Sequence, residues 1–129
     1  MCSSDLKRVV PLPVSAPFHC ALMRPAEERL APELRALAVQ APRIGIVANV
    51  DAQTKRTAAE AIEALVAQVT APVRWEDVVR RLASEGVTTY VEVGPGNVLT
   101  GLVRKIVPNA SVANFGRPED LEGVQALVH

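Results

Sequence analysis

His19 is the side chain of this sequence best suited to proton transfer. It is one of two histidines, and the other, His129, is the last residue. An extended run with three prolines precedes it and a helical pattern follows, so His19 is predicted to lie at a junction between a strand and a helix. An imidazole in such a place is either a general base or, more commonly, a hydrogen-bonded structural group.

A histidine base needs a nucleophile, and the sequence supplies no convincing one. No serine lies in the Gly-x-Ser-x-Gly elbow that presents the nucleophile of hydrolase-like folds. Cys20 adjoins His19, but consecutive helical residues point about 100° apart, so Cys20 is interpreted as a small packing residue. Gly94, Pro95 and Gly96 lack the rest of a phosphate-binding loop and are interpreted as a structural turn. The histidines and cysteines do not have zinc spacing, so no metal is expected.

Four stretches of the chain occur in an order that is itself informative. They are residues 12–23 (LPVSAPFHCALM), 47–51 (VANVD), 71–75 (APVRW) and 92–102 (EVGPGNVLTGL). Together they resemble segments of malonyl-CoA:acyl-carrier-protein transacylases, and the likeness runs from Lys7 to the C-terminus. On this resemblance the chain is identified as the C-terminal portion of such an enzyme.

The resemblance implies a ping-pong acyl transfer in which His19 acts first as general base and then as general acid. Malonyl would pass from malonyl-CoA to an enzyme serine, and then to the phosphopantetheine thiol of acyl carrier protein, in fatty acid biosynthesis. In the family the serine, the arginine for the malonyl carboxylate and the oxyanion glutamine lie N-terminal to this region, so none is assigned here. The implied partners are malonyl-CoA, acyl carrier protein and the missing N-terminal part, with no metal or redox cofactor.

The resemblance also assigns roles to two residues besides His19. Phe18, directly before it, would face the acyl chain and favour malonyl over branched extender units, although plain packing is an equal alternative. Gln68 would offer its backbone carbonyl to orient the imidazole. From the sequence alone, Gln68 is a polar residue in the last turn of a helix.

Pro72 supports the role of the Gln68 carbonyl on physical grounds. In an α-helix the carbonyl of residue 68 accepts from the N–H of residue 72, and proline has no N–H. The carbonyl is therefore open, in a last turn already short of donors, and it needs a partner if it is buried. We predict that the Nδ1–H of His19 donates to it.

The composition indicates one globular domain without nucleic-acid or membrane character. The chain has 129 residues, of which 49% are hydrophobic and 3% aromatic, so aliphatic side chains must form the core. Fourteen basic residues balance fourteen acidic ones, which argues against nucleic acid or an anionic membrane surface as partner. No apolar run is long enough to span a membrane, no signal peptide opens the chain, and two cysteines make no disulfide framework. A cytoplasmic location is expected.

Strand and helix patterns alternate along the chain, which predicts an α/β fold with a largely parallel sheet. Pro32 is expected to kink the first helix or to lie where the lost hydrogen bond is solvated, residues 51–56 to form a polar loop, and Asn97 to cap the fourth helix. The resemblance implies the C-terminal half of an α/β-hydrolase-like subdomain, with the end of a ferredoxin-like insertion. The predicted strands are 8–14, 44–50, 87–93 and 111–115, and the predicted helices are 25–39, 57 to the stop at Pro72, 75–85, 97–107 and 118–128.

Residues 1–6 (MCSSDL) fit no predicted element and do not resemble the family. They match what a common sequencing-adapter end would encode if translated. We therefore expect a non-native extension, followed by residues 7–129 as the C-terminal part of an acyltransferase domain that is inactive alone. Two alternatives stay open, namely an acyltransferase fragment of a polyketide or fatty-acid megasynthase and a non-catalytic module that binds a carrier protein.

Overall fold

A computed structural model describes residues 16–128. The predicted strand over 8–14 and the expected extension over 1–6 lie outside the described residues. Within the described range, the helices are α1 (Arg24–Ala36), α2 (Ala58–Ala67), α3 (Trp75–Ser84), α4 (Val98–Ile106) and α5 (Leu121–Val128), and the strands are β1 (Ile46–Val47), β2 (Thr54–Lys55), β3 (Thr89–Val93) and β4 (Ser111–Phe115). Single 3-10 turns, Ala21–Met23 and Pro118–Asp120, precede α1 and α5.

Helices α1 and α2 pack against each other through small and aliphatic residues. Ala31 of α1 and Val66 of α2 are both buried. A capping box is present at the start of α2, where the side chains of Thr57 and Glu60 each accept a hydrogen bond from the other residue's backbone N–H. Helix α1 continues through Pro32, whose side chain is exposed, so solvent can reach the position of the missing hydrogen bond.

The prediction of a buried strand over 44–50 is wrong. Only Ile46–Val47 is extended, and it pairs in an antiparallel hairpin with Thr54–Lys55, where a polar loop was predicted. The Asp51 carboxylate makes the turn, because it accepts from the Gln53 N–H at 2.9 Å and pairs with Lys55 at 2.5 Å. Ala52 turns the chain with φ +56°, and Ile46 remains 46% exposed. The aliphatic run is therefore the first strand of a surface hairpin.

The prediction of a parallel α/β sheet is confirmed in the second half of the described range. Strands β3 and β4 pair in parallel over five residues, from Thr89 with Ser111 to Val93 with Phe115. Helix α4 makes the crossover between them, as parallel strands require. Val79 of α3 and Val103 of α4 are buried in the core. Helix α3, predicted over residues 75–85, ends at Ser84, and Gly86 follows two residues later with φ +88°.

The turn at residues 94–96 connects β3 to α4. Gly94 and Gly96 have φ values of +136° and +92°, so the turn needs glycine at both positions.

Asn97 occupies the N-cap position of α4, but its side chain makes no capping hydrogen bond, so the prediction that it caps the helix is wrong. The Glu92 carboxylate accepts instead, from the Leu99 N–H at 3.2 Å and the Thr100 N–H at 2.7 Å. These groups lower the pKa of Glu92, chiefly through the Thr100 backbone hydrogen bond.

Glu92→Gln should make the free energy of unfolding less dependent on pH in the acid range. Because the pKa is lowered by folding, the ionised form favours the folded state. The stabilisation is complete above the unfolded-state pKa of about 4.3 and is lost as the pH falls through the lower folded-state value. Urea titrations followed by circular dichroism between pH 7 and pH 3 should show a less stable variant at pH 7 and a shallower acid decline. Glu33→Gln on α1 is the control, and an acid decline in Glu92→Gln as steep as in the parent would contradict this.

Candidate functional site

His19 lies in a tight turn five residues before α1 begins. Its φ is +56°, the left-handed region, which costs a residue with a β-carbon about 1–2 kcal/mol. Hydrogen bonds hold the turn on both sides, from the Phe18 N–H to the Ala16 carbonyl at 3.0 Å and from the Cys20 thiol to the Pro17 carbonyl at 3.1 Å. The junction is therefore a strained turn followed by a single 3-10 turn. An outlier of this kind persists only where the surrounding contacts determine it.

The structure brings His19 and Gln68 together. The Nδ1 atom of His19 lies 2.9 Å from the backbone carbonyl oxygen of Gln68, which is the contact predicted from Pro72. A carbonyl oxygen only accepts, so Nδ1 is the donor in this contact, and in the neutral imidazole Nε2 then has a free lone pair. The side chain of Gln68 takes no part in this contact.

The end of α2 presents the Gln68 carbonyl. Gln68 is the C-cap residue, and its N–H still donates to the Ala64 carbonyl at 3.0 Å. Pro72 offers no N–H to continue the helix. The chain instead leaves α2, and the Arg74 N–H donates to the Asn49 carbonyl beside the β1–β2 hairpin at 2.9 Å. The missing donor therefore leaves the carbonyl open to His19.

Phe18 and Cys20 flank the histidine in different ways. The Phe18 side chain is 59% exposed, so the described residues do not bury it. The Cys20 thiol is directed to the Pro17 carbonyl, which fits a role in holding the turn and not that of a nucleophile. The serines of the described range are Ser84 and Ser111, and neither is hydrogen-bonded to His19.

Residues 16–128 lack two features, a helix that could cross a membrane and a cluster of metal ligands. None of the helices in this range combines the length and the apolar character that crossing a membrane requires. The same range holds no group of three histidine, cysteine or acidic side chains arranged to bind a metal ion.

Comparison with known proteins gives a consistent set of relatives. No family model matches the chain. It is 45% identical over 119 residues to malonyl CoA-acyl carrier protein transacylase of Salmonella typhimurium, covering 92% of this chain and 38% of that protein. It is 40% identical over 122 residues to the protein of the same name in Bacillus subtilis, covering 94% and 38%.

Solved structures agree with the sequence comparison. The acyl-carrier-protein S-malonyltransferase of Burkholderia pseudomallei superposes with a TM-score of 0.85 at 42% identity, over 93% of this chain and 39% of that one. A malonyl-transacylase in complex with its type II polyketide acyl-carrier protein superposes with a TM-score of 0.86 at 40% identity, over 94% and 39%. The chain thus spans about two fifths of the length of the relatives that it matches.

The neutral imidazole of His19 should carry its proton on Nδ1. Selective ¹⁵N-histidine labelling and long-range ¹⁵N–¹H correlation spectra at alkaline pH distinguish the two tautomers, and His19→Gln assigns the signals. Pro72→Ala should reduce the Nδ1–H population, because an N–H at position 72 would compete for the Gln68 carbonyl. A parent protein with the proton on Nε2 would contradict the geometry.

Proposed function

By sequence the chain belongs to the malonyl CoA-acyl carrier protein transacylase family, and we propose that it is the C-terminal part of such an enzyme. The complete protein would transfer malonyl from malonyl-CoA to the phosphopantetheine thiol of acyl carrier protein. The observation that carries this proposal is the contact of 2.9 Å between His19 Nδ1 and the Gln68 carbonyl oxygen. An imidazole held in one orientation, with Nε2 free to accept a proton, is what acyl transfer through a serine ester needs.

The proton on Nδ1 decides what His19 does in each half-reaction. Nε2 takes the proton of the serine hydroxyl as the serine oxygen attacks the thioester carbonyl. The coenzyme A thiolate then leaves and receives that proton from Nε2. In the second half-reaction Nε2 deprotonates the phosphopantetheine thiol, which attacks the seryl ester, and the serine regains its proton. The Gln68 carbonyl keeps the tautomer fixed and stabilises the imidazolium between the steps.

The nucleophile, the oxyanion donors and the arginine for the malonyl carboxylate would come from the rest of the enzyme. The free edge of the parallel sheet supports this division. Among the described residues only β4 pairs with β3, and Val93 at the end of β3 is 76% exposed. Parallel sheets are normally covered on both faces and continued at their edges. We assign β3, α4 and β4 to an α/β-hydrolase-like subdomain and the preceding segments to the end of a ferredoxin-like insertion, with residues 7–129 as the native part.

The substrates of the proposed reaction supply all of its chemistry, so the proposal includes no metal or redox cofactor. Acyl carrier protein is the proposed macromolecular partner. One relative of known structure, 40% identical to this chain, was solved in complex with an acyl-carrier protein.

A megasynthase fragment is the second candidate. The chain is 40% identical over 119 residues to the polyketide biosynthesis protein ThaF of Burkholderia thailandensis, of which it covers only 10%. The reaction at His19 would be the same in that setting, but the carrier domain would belong to the same polypeptide. A non-catalytic module that binds carrier protein would bind without any transfer.

A chimaera tests the proposal directly. In it, this chain replaces the matching two fifths of the Burkholderia pseudomallei enzyme. The chain alone should not transfer malonyl above background, because it lacks the serine, and the chimaera should transfer it to acyl carrier protein. Within the folded chimaera, His19→Ala should lower the rate by about 10²–10⁴-fold, Pro72→Ala less, and Gln68→Ala only mildly.

Three outcomes would contradict this account. Turnover by the isolated chain, lost on His19→Ala, would reveal a nucleophile within it. Gln68→Ala as damaging as His19→Ala, in a protein with an unchanged circular dichroism spectrum, would mean that the side chain acts and not the backbone. A folded chimaera that binds carrier protein without transfer would favour the non-catalytic module.

Phe18 should favour malonyl over methylmalonyl in the chimaera. The extra methyl group would meet the aromatic ring, and one methyl group typically discriminates by about 1–3 kcal/mol. Competition between the two coenzyme A thioesters should show that Phe18→Ser raises the methylmalonyl share. Leu22→Ser is the control, since Leu22 is also exposed and lies in the adjoining 3-10 turn. An unchanged ratio in Phe18→Ser would remove Phe18 from the account of selectivity.

A further inference from the structure

A hydrogen bond joins the start of α1 to the segment that follows α2. The hydroxyl group of Thr70 donates to Oε2 of Glu27. The other carboxylate oxygen of Glu27, Oε1, lies 3.6 Å from Nη1 of Arg24, so both oxygens have partners. The Glu27 side chain is only 18% exposed. The Glu27 carboxylate is therefore largely shielded from solvent, unlike the exposed Arg35–Glu63 ion pair that also joins α1 to α2.

The position of this hydrogen bond relates it to the site. Thr70 comes two residues after Gln68, and Glu27 lies in the first turn of α1, the helix that follows the His19 turn. His19 and Gln68 are 49 residues apart in sequence, so packing between these segments must set the distance between them. The Glu27–Thr70 hydrogen bond is a polar link between the same two segments.

We propose that Glu27 and Thr70 are a positioning pair that holds the Gln68 carbonyl at hydrogen-bonding distance from His19 Nδ1. Its catalytic consequence rests on the function proposed above. Neither residue touches the reacting atoms. Without the link, the end of α2 can shift relative to the strained turn at His19, and a lengthened contact releases the imidazole from its Nδ1–H tautomer. Loss of the pair therefore lowers the rate of transfer and leaves substrate binding in place.

The same helices offer a matched control. Arg35 and Glu63 form a two-pronged ion pair, with N–O distances of 2.8 and 2.7 Å, and also join α1 to α2. Both side chains are more than half exposed. Arg35 is eight residues beyond Glu27, about 12 Å along the helix axis. A variant here weakens the helix pair in general but lies away from the His19 contact.

The test uses Thr70→Val, which keeps the shape of threonine and removes the hydroxyl donor. Thr70→Ser restores the donor, Glu27→Ala removes the acceptor, and Glu63→Gln is the control. The His19 tautomer is measured by ¹⁵N-histidine spectra in the 129-residue chain and in the chimaera. The kcat and KM for malonyl-CoA are measured in the chimaera.

Thr70→Val should lower the Nδ1–H fraction and reduce kcat about five- to tenfold, with KM within about twofold. Thr70→Ser should restore both, and the double variant Glu27→Ala/Thr70→Val should be no worse than the poorer single variant. The proposal would be overturned if Thr70→Val kept the Nδ1–H fraction and the kcat of the parent protein. It would also be overturned if Glu63→Gln lowered both quantities as much as Thr70→Val does. A parent chimaera without transfer would refute the proposed function alone, because the tautomer measurements still decide whether this pair positions His19.

Discussion

The hydrogen bond from His19 to the Gln68 carbonyl is the contact on which the site depends. Two backbone irregularities meet in it, the left-handed conformation of His19 and the absence of an N–H at Pro72. Each is unfavourable by itself, since one strains the chain and the other leaves a carbonyl without its helical donor. Together they compensate, because the strained turn delivers the donor that the helix end lacks. The partner of the imidazole is thus part of the main chain, held by secondary structure.

The two halves of the described chain contribute differently. The first half carries the polar contacts around His19, beside two packed helices in which Ala31 and Val66 are buried. Strands β3 and β4 with helix α4 form a parallel β–α–β unit, and two of its polar side chains bind backbone groups of the same unit. Glu92 caps α4, and Asn114 donates to the Gly96 carbonyl at 2.5 Å. These two side chains are engaged with the backbone, so they stabilise the β–α–β unit itself.

Local chemistry explains which features were predictable from the sequence. The capping box at Thr57, the stop at Gly86 and the open carbonyl before Pro72 each follow from a few neighbouring residues. The hairpin was missed because an aliphatic run suggested burial, whereas the turn chemistry of Asp51 decided the pairing. The Glu92 cap and the Glu27–Thr70 hydrogen bond join residues 8 and 43 positions apart. No periodic pattern encodes such contacts. The roles of His19, Gln68 and Phe18 in catalysis remain predictions.

Within residues 16–128, one edge of β3 has no pairing strand, which has a consequence for how this part of the protein behaves in solution. An edge strand exposes a row of unpaired N–H and C=O groups, and natural proteins usually protect it with a charge. Residues 89–93 (TYVEV) contain one charge, on Glu92, and that carboxylate is bound to the amide groups at the start of α4. The edge therefore lacks a free charge to repel a second strand. Strands of neighbouring molecules can add to an edge of this kind, so among the described residues β3 is where self-association could begin.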